Sequence, residues 1–248
     1  MTRKTDPLRR DRLIAATPLD LGRFDVGPGK RLIPISAWLF TTDRGRRLLL
    51  DTGFPPRYAT HGAEMAKVDG LDAFGQLVQF DHRHTILGAL ALNGLTASDI
   101  SHVLLSHSHI DHIGGLPDLP DAEVIISSAE RALPNALYFG AARPMPWPEA
   151  RYRLLDKSTD ICDGLRLVAT PGHTPGHMSA LVSLPGRTII LAVDAINRTS
   201  EPAEGYPDAM DPAQAARSGK RLFDLAHRHK ATLIPGHEPI ARTAKAVS

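Results

Sequence analysis

Apolar and polar positions alternate along this chain in short blocks broken by turn residues, a rhythm that predicts many short strands and few long helices. Residues 33–42 and 47–51 read as strands, the second ending at Asp51-Thr52-Gly53, where a turn leaves Asp51 on a loop edge. After a stretch rich in glycine, histidine and charge, residues 86–93 have helix-forming composition and stop at Gly94. Thr96, with Asp99 three positions on, predicts another short helical start. Residues 102–106 and 123–127 read as short buried strands. Residues 134–148, crowded with proline and aromatic side chains, predict an irregular segment that shapes a pocket, because strand signals resume on both sides.

The second half repeats the rhythm. Strands are expected over 165–169, 178–183 and 188–193, with Pro185-Gly186 turning a hairpin between the last two and Asp194 closing the strand. Asp211-Pro212 supplies an N-cap and a proline at the first helical position for a helix over 213–229. A last strand over 232–234 leads into Pro235-Gly236-His237. No short tandem repeat occurs, yet strands, a helix and a strand-end polar residue appear in both halves, as two related layers would give.

Composition narrows the class. A chain of 248 residues, 42% hydrophobic, is expected to form one domain over 1–248 with a sizeable core. The charged start is followed by no apolar signal core, and no run of about 18 apolar residues occurs, so a soluble, cytoplasmic protein without a membrane partner is expected. A net charge of +2, with arginines scattered through 9–12 and 44–47, gives no footprint for nucleic acid. Cys162 is the sole cysteine, so neither a disulfide nor a thiolate cluster can form, and any metal must be held by nitrogen and oxygen.

Ser106-His107-Ser108-His109-Ile110-Asp111-His112 packs four potential ligands into six positions and holds three of the chain's 12 histidines. In an extended segment residues two apart point the same way, so His107 and His109 can serve one metal together. Asp111 and His112 are neighbours that must diverge as the chain turns, which suits a second ion nearby. Imidazole and carboxylate accept zinc, and also iron, manganese or cobalt. His173 stands in a second motif, Thr170-Pro171-Gly172-His173-Thr174-Pro175-Gly176-His177, where restricted backbone can aim a side chain at a fixed point. Asp194, at the end of a buried strand, needs a cation or a partner. His237 follows the same logic, and His177 is expected to support the ligands. His61, His82, His84, His102, His227 and His229 lack such spacing and read as structural, with His82 and His84 the nearest to a pocket.

The HxHxDH motif, TPGHTPGH, the strand-end Asp194 and the late Gly-His237 together resemble the metallo-β-lactamase superfamily, in order and over nearly the whole chain. The resemblance implies an αββα sandwich of the α/β class, two mixed sheets flanked by helices. It implies two divalent ions per chain, zinc foremost, with His107, His109 and His173 on one, Asp111, His112 and His237 on the other, Asp194 bridging, and Asp51 supporting the site. Such a pair of ions, about 3.5–4 Å apart, implies hydrolysis by a bridging hydroxide, with Asp111 carrying the proton.

The stretch from His84 to Leu90, the full ligand set and the short length resemble the lactonase branch, which includes N-acyl homoserine lactone and pyridoxolactone hydrolases. A small lactone or ester is therefore the expected partner, with quorum quenching a role to consider. Asn197 stands where homoserine lactone hydrolases often carry tyrosine, three residues after the bridging aspartate. It can donate a hydrogen bond to a developing oxyanion but cannot donate a proton. An arylesterase or phosphotriesterase fits the same centre. A thioester hydrolase similar to glyoxalase II would bring a basic C-terminal region, which Arg242 and Lys245 only sketch. The non-enzyme alternative is a metal-binding sensor module. A homodimer is expected if residues 134–148 expose an apolar surface.

Overall fold

The computed structural model describes residues 7–27, 31–136 and 146–240. Strands β1 (Leu13–Asp25), β2 (Leu32–Thr42), β3 (Arg47–Leu50), β4 (Gln76–Gln79), β5 (Ile100–Leu104), β6 (Glu123–Ser127) and β7 (Arg151–Leu155) form a seven-stranded sheet in the order β4-β1-β2-β3-β5-β6-β7. Its first half is antiparallel and its second half, from β3 onward, is parallel. Strands β8 (Thr159–Cys162), β9 (Leu165–Ala169), β10 (Met178–Leu184), β11 (Arg187–Val193) and β12 (Thr232–Pro235) form a second sheet, antiparallel except for the β11–β12 pair.

The sheets face each other because their strands are apolar on both sides. Trp38 and Phe40 of β2, Leu48 and Leu50 of β3 and Ile125 of β6 pack against Met178, Ala180, Val182, Ile189 and Leu191 in one inter-sheet core. The alternate residues of the same strands, Ile35, Leu39, Leu49, Val124 and Ile126, turn outward into a second core. That core is covered by helices α1 (Tyr58–Asp69), α2 (Ile86–Leu92) and α3 (Ile110–Ile113). On the other side Leu181, Ile190 and Ala192 pack against Ala215 and Leu222 of α6 (Pro212–His229). Short helices α4 (Ser128–Arg131) and α5 (Glu201–Glu204) follow β6 and β11. The result is the αββα sandwich with two mixed sheets that the sequence implied.

Most expected elements occur within a residue or two of their expected ends. Pro185-Gly186 turns the β10–β11 hairpin, with Leu184 opposite Arg187, and Asp211 caps α6 by accepting from Gln214 N at 2.9 Å. Thr96 and Asp99 do form a capping box, but over a 3-10 turn, Ala97–Asp99, and not a continuing helix. Strand β1 was not read from the sequence because Pro18 interrupts its apolar run. Pro18 sits opposite Trp38 of β2, while β4 covers only Arg23 to Asp25 on the other edge, so no ladder bond there needs its missing N–H. Helix α1 escaped notice because only Tyr58 and Ala66 are buried and His61 breaks its regularity. Residues 137–145 of the proline-rich segment, and with them the surface expected to favour a dimer, lie outside the described residues, as do positions 242 and 245. No helix among the described residues is long and apolar enough to cross a membrane.

Cys162 lies in the inter-sheet core. Burial, reinforced by the carboxylates of Asp11, Asp163 and Asp43, pushes its thiol up to about 12. At pH 8 a thiolate-selective reagent should label the native protein on the order of a thousandfold more slowly than the unfolded chain. Fast stoichiometric labelling of native protein would contradict this placement.

Candidate metal centre

The site lies where both sheets end. Beyond β5 the chain stays extended through Ser106, His107 and His109 and then turns sharply, His112 N and Ile113 N both donating to His109 O at 2.9 and 3.0 Å. His107 and His109 therefore point together, and α3 carries Asp111 and His112 away from them. Asp51, just past β3, adopts a left-handed backbone with φ 65°. Its carboxylate accepts from Ser106 N at 2.8 Å and Ser106 Oγ at 2.7 Å and pairs with His112 Nδ1 at 2.9 Å. Thr52 adds two bonds to His112 O, from N and Oγ1, each 2.8 Å. Met178 N donates to Ser106 O at 2.9 Å, which ties the second sheet to this loop.

The TPGHTPGH turn is wedged between α4 and α6. A Cβ on Gly172, whose φ is 137°, would lie 2.3 Å from Ala215 N, and one on Gly176 would lie 2.2 Å from Glu130 N. Only glycine permits either approach. His173 reaches the centre, its Nε2 3.0 Å from His109 Nδ1. His177 stays behind it as support: Nδ1 meets Thr170 Oγ1 at 2.9 Å, and Nε2 accepts from the backbone of Asp194 at 3.2 Å. Burial pushes the His177 imidazole down to about 3, so it remains the neutral acceptor that this bond requires.

Asp194 is the meeting point. Val193 before it is held at φ 49°, an uncommon conformation for a β-branched residue. Its carboxylate lies 3.2 Å from His173 Nε2, 3.3 Å from His237 Nε2, 3.4 Å from His112 Nε2 and 3.8 Å from His107 Nε2. Burial opposes its charge, but His237, His112 and His173 hold the carboxyl well below its usual range. Asp111 lies 3.3 Å from His112 Nε2 and 3.5 Å from His237 Nε2. His237 is aimed by its Nδ1, 3.0 Å from Pro34 O. All seven expected ligands are thus buried in one place. They form two groups, His107, His109, His173 and Asp194, and Asp111, His112 and His237, each with ligand atoms within 4.8 Å of one another.

The donor set fits metal ions. His107 Nε2, both Asp111 oxygens, His112 Nε2 and Asp194 Oδ1 face the centre, buried without a hydrogen-bond partner. Each such atom costs about 1–3 kcal/mol when left unmade. Among the described residues no lysine or arginine is buried to balance Asp51, Asp111, Asp194 and Glu130. Divalent cations satisfy both deficits.

Asn197 is buried beside this cluster, and its O accepts from His237 N at 2.9 Å. Its Nδ2 donates to Glu201 Oε1 at 3.2 Å and its backbone N donates to Glu201 Oε2. One of the amide's two N–H bonds is therefore engaged, and Oδ1 has no partner. Sequence reading missed Glu201 and Glu130, both buried. No local pattern marks a buried glutamate, since its partners come from elsewhere in the chain. His84 caps a turn, its Nδ1 accepting from Asp81 N at 3.1 Å, and His102 pairs with Glu123 at 3.3 Å across β5 and β6. His61, His82, His227 and His229 are exposed and stand apart from both groups.

Residues 31–237 match the sequence profile of the metallo-beta-lactamase superfamily. The chain belongs to that superfamily. Curated relatives include the N-acyl homoserine lactonase of Bacillus thuringiensis, 27% identical over 217 residues, covering 85% of this chain and 84% of the relative. The N-acyl homoserine lactonase of Bacillus cereus is 29% identical over the same shares, 85% and 84%. Among solved structures, an N-acyl homoserine lactone hydrolase with N-hexanoyl-L-homoserine at its catalytic metal centre superposes with a TM-score of 0.77. It is 24% identical, over 91% of this chain and 94% of that one. AidC, a dizinc quorum-quenching lactonase, superposes with a TM-score of 0.65 at 20% identity, over 95% and 93%. In this chain the sandwich places both candidate ligand groups at one end of the paired sheets.

His177→Phe keeps the ring's bulk but strands the Asp194 N–H. It should destabilise the metal-free protein by about 1–3 kcal/mol, measured by denaturant unfolding in chelator. An unchanged midpoint would mean that Asp194 N finds another acceptor.

Proposed function

We propose that this superfamily member is a dinuclear lactonase that hydrolyses lactone rings, N-acyl homoserine lactones among them. His107, His109 and His173 hold one divalent ion and Asp111, His112 and His237 the other, both zinc, with Asp194 shared. One observation carries the reading: Asp194 lies within 3.2–3.8 Å of four histidine nitrogens drawn from both ligand groups. The choice of lactone rests on the relatives, whose curated names are N-acyl homoserine lactonases.

When bound, two such ions supply Lewis acidity toward a carbonyl and a water deprotonated near neutral pH. The chain's own residues do the rest. Ring opening adds water to the acyl carbon, breaks the ring C–O bond and moves one proton to the departing ring oxygen. Asp111 carries that proton: burial opposes its charge, but His112 and His237 keep its carboxyl below the usual range, so it is ionised and able to accept. Asn197, anchored by Glu201, orients the substrate through the polar groups Glu201 leaves unused.

Purified protein should contain about two metal ions per chain and release protons from lactones faster than from thioesters or aryl phosphotriesters, losing activity in chelator. A thioester or phosphotriester preference would replace the lactone assignment, and full activity of metal-free protein would remove the mechanism. Asp111→Asn is expected to lower kcat by 10²-fold or more, on the order of general acid–base contributions, while bound metal falls less. Parallel losses of metal and rate would reduce Asp111 to a ligand. Asn197→Ala should lower kcat/KM about tenfold, about 1.4 kcal/mol of transition-state stabilisation. An unchanged kcat/KM would restrict Asn197 to holding Glu201.

A further inference from the structure

Glu130, on α4, is fully buried. Its Oε1 accepts from Ser108 N at 2.9 Å and Ser108 Oγ at 2.7 Å. Its Oε2 accepts from Thr174 Oγ1 at 2.7 Å and Gly176 N at 3.0 Å. Four donors fill the acceptor directions that an ionised carboxylate offers. The donors come from two loops. Ser108 stands between His107 and His109, and Thr174 directly follows His173. One carboxylate therefore joins the ends of β5 and β9, which belong to different sheets, at the residues that carry the three histidines of one ligand group. Ser127 Oγ fixes Glu130 in turn by accepting from its backbone N at 3.0 Å. The other group is held by different means, His112 by Asp51 and His237 by Pro34 O.

We propose that Glu130 is a positioning residue that sets the spacing of His107, His109 and His173, and with it the affinity of that one metal position. The proposal rests on the dinuclear reading above. The negative charge of Glu130 also favours a cation beside it, where no buried lysine or arginine of the described residues competes. Glutamine cannot replace it. Whichever way the amide faces, its NH2 meets a backbone donor, Ser108 N on one side or Gly176 N on the other. One loop must then move. Outer hydrogen-bond partners of metal ligands commonly govern affinity by 10–100-fold.

The test is competitive Co2+ titration of chelator-stripped protein, with one ligand group disabled at a time. In a His237→Ala background, which leaves the three-histidine group intact, Glu130→Gln is expected to weaken Co2+ binding about 10–100-fold and to change its visible absorption. In a His173→Ala background the same substitution should change affinity less than about threefold, as for independent sites. Ser108→Ala with Thr174→Val removes two of the four donors and keeps the carboxylate. This variant should weaken the same position by a smaller factor with a metal-free unfolding midpoint near wild type, and it decides the matter if Glu130→Gln does not fold. Equal weakening in both backgrounds, or wild-type affinity in Glu130→Gln, overturns the proposal. Failure of the wild type to bind two Co2+ ions overturns the dinuclear reading itself.

Discussion

A carboxylate buried at the junction of two sheets constrains this molecule more than any other group. Asp194 is surrounded at 3.2–3.8 Å by imidazole nitrogens that arrive from three separate stretches of chain. An isolated buried anion is so costly that such a position survives only with partners or cations around it. The geometry of both sheets can be read as the means of meeting that demand. β5 leads into the loop carrying His107, β9 into the turn carrying His173, β11 directly into Asp194 and β12 directly into Gly236-His237. The backbone bears some of the strain. Asp51 and Val193 hold positive φ, each at about 1–3 kcal/mol, and both lie beside groups fixed by several other contacts.

The candidate ligands are oriented by hydrogen bonds of their own. His107 Nδ1 lies 3.0 Å from Ser106 Oγ, His112 Nδ1 2.9 Å from Asp51 and His237 Nδ1 3.0 Å from Pro34 O, so each turns Nε2 toward the centre. Fixing one ring nitrogen through a hydrogen bond selects the tautomer and frees the other as a ligand. Asp194 is controlled through its backbone, which donates to the neutral His177. These outer contacts are spread over both sheets, so the centre and the fold stabilise each other.

Two buried residues outside the candidate ligand groups adjoin the centre. Asn197 and Glu201 form such a pair at the end of β11. Their hydrogen bonds give this chain a buried amide whose Oδ1 has no hydrogen-bond partner. A neutral amide can donate or accept a hydrogen bond but is not a proton donor.

The sequence by itself determined the candidate ligands and much of the strand pattern. Histidines two apart in extended chain must point together, a fact of local geometry that needs no tertiary contact. Pro185-Gly186 and Asp211-Pro212 likewise act through their own dihedral and capping preferences, and both occur as expected. Only the tertiary structure brings the seven side chains together, because their division into two groups, which the family resemblance implied, depends on contacts such as His109 with His173, 64 positions apart. It decided that β1 continues through Pro18, since β4 covers only Arg23 to Asp25 on the edge away from β2, and that is a property of the sheet. It also turned Glu130 from an unremarked residue on a short helix into the link between two ligand loops. Its partners at Ser108 and Thr174 lie 22 and 44 positions away. Burial of a polar group is set by what packs over it, and local sequence carries no record of that.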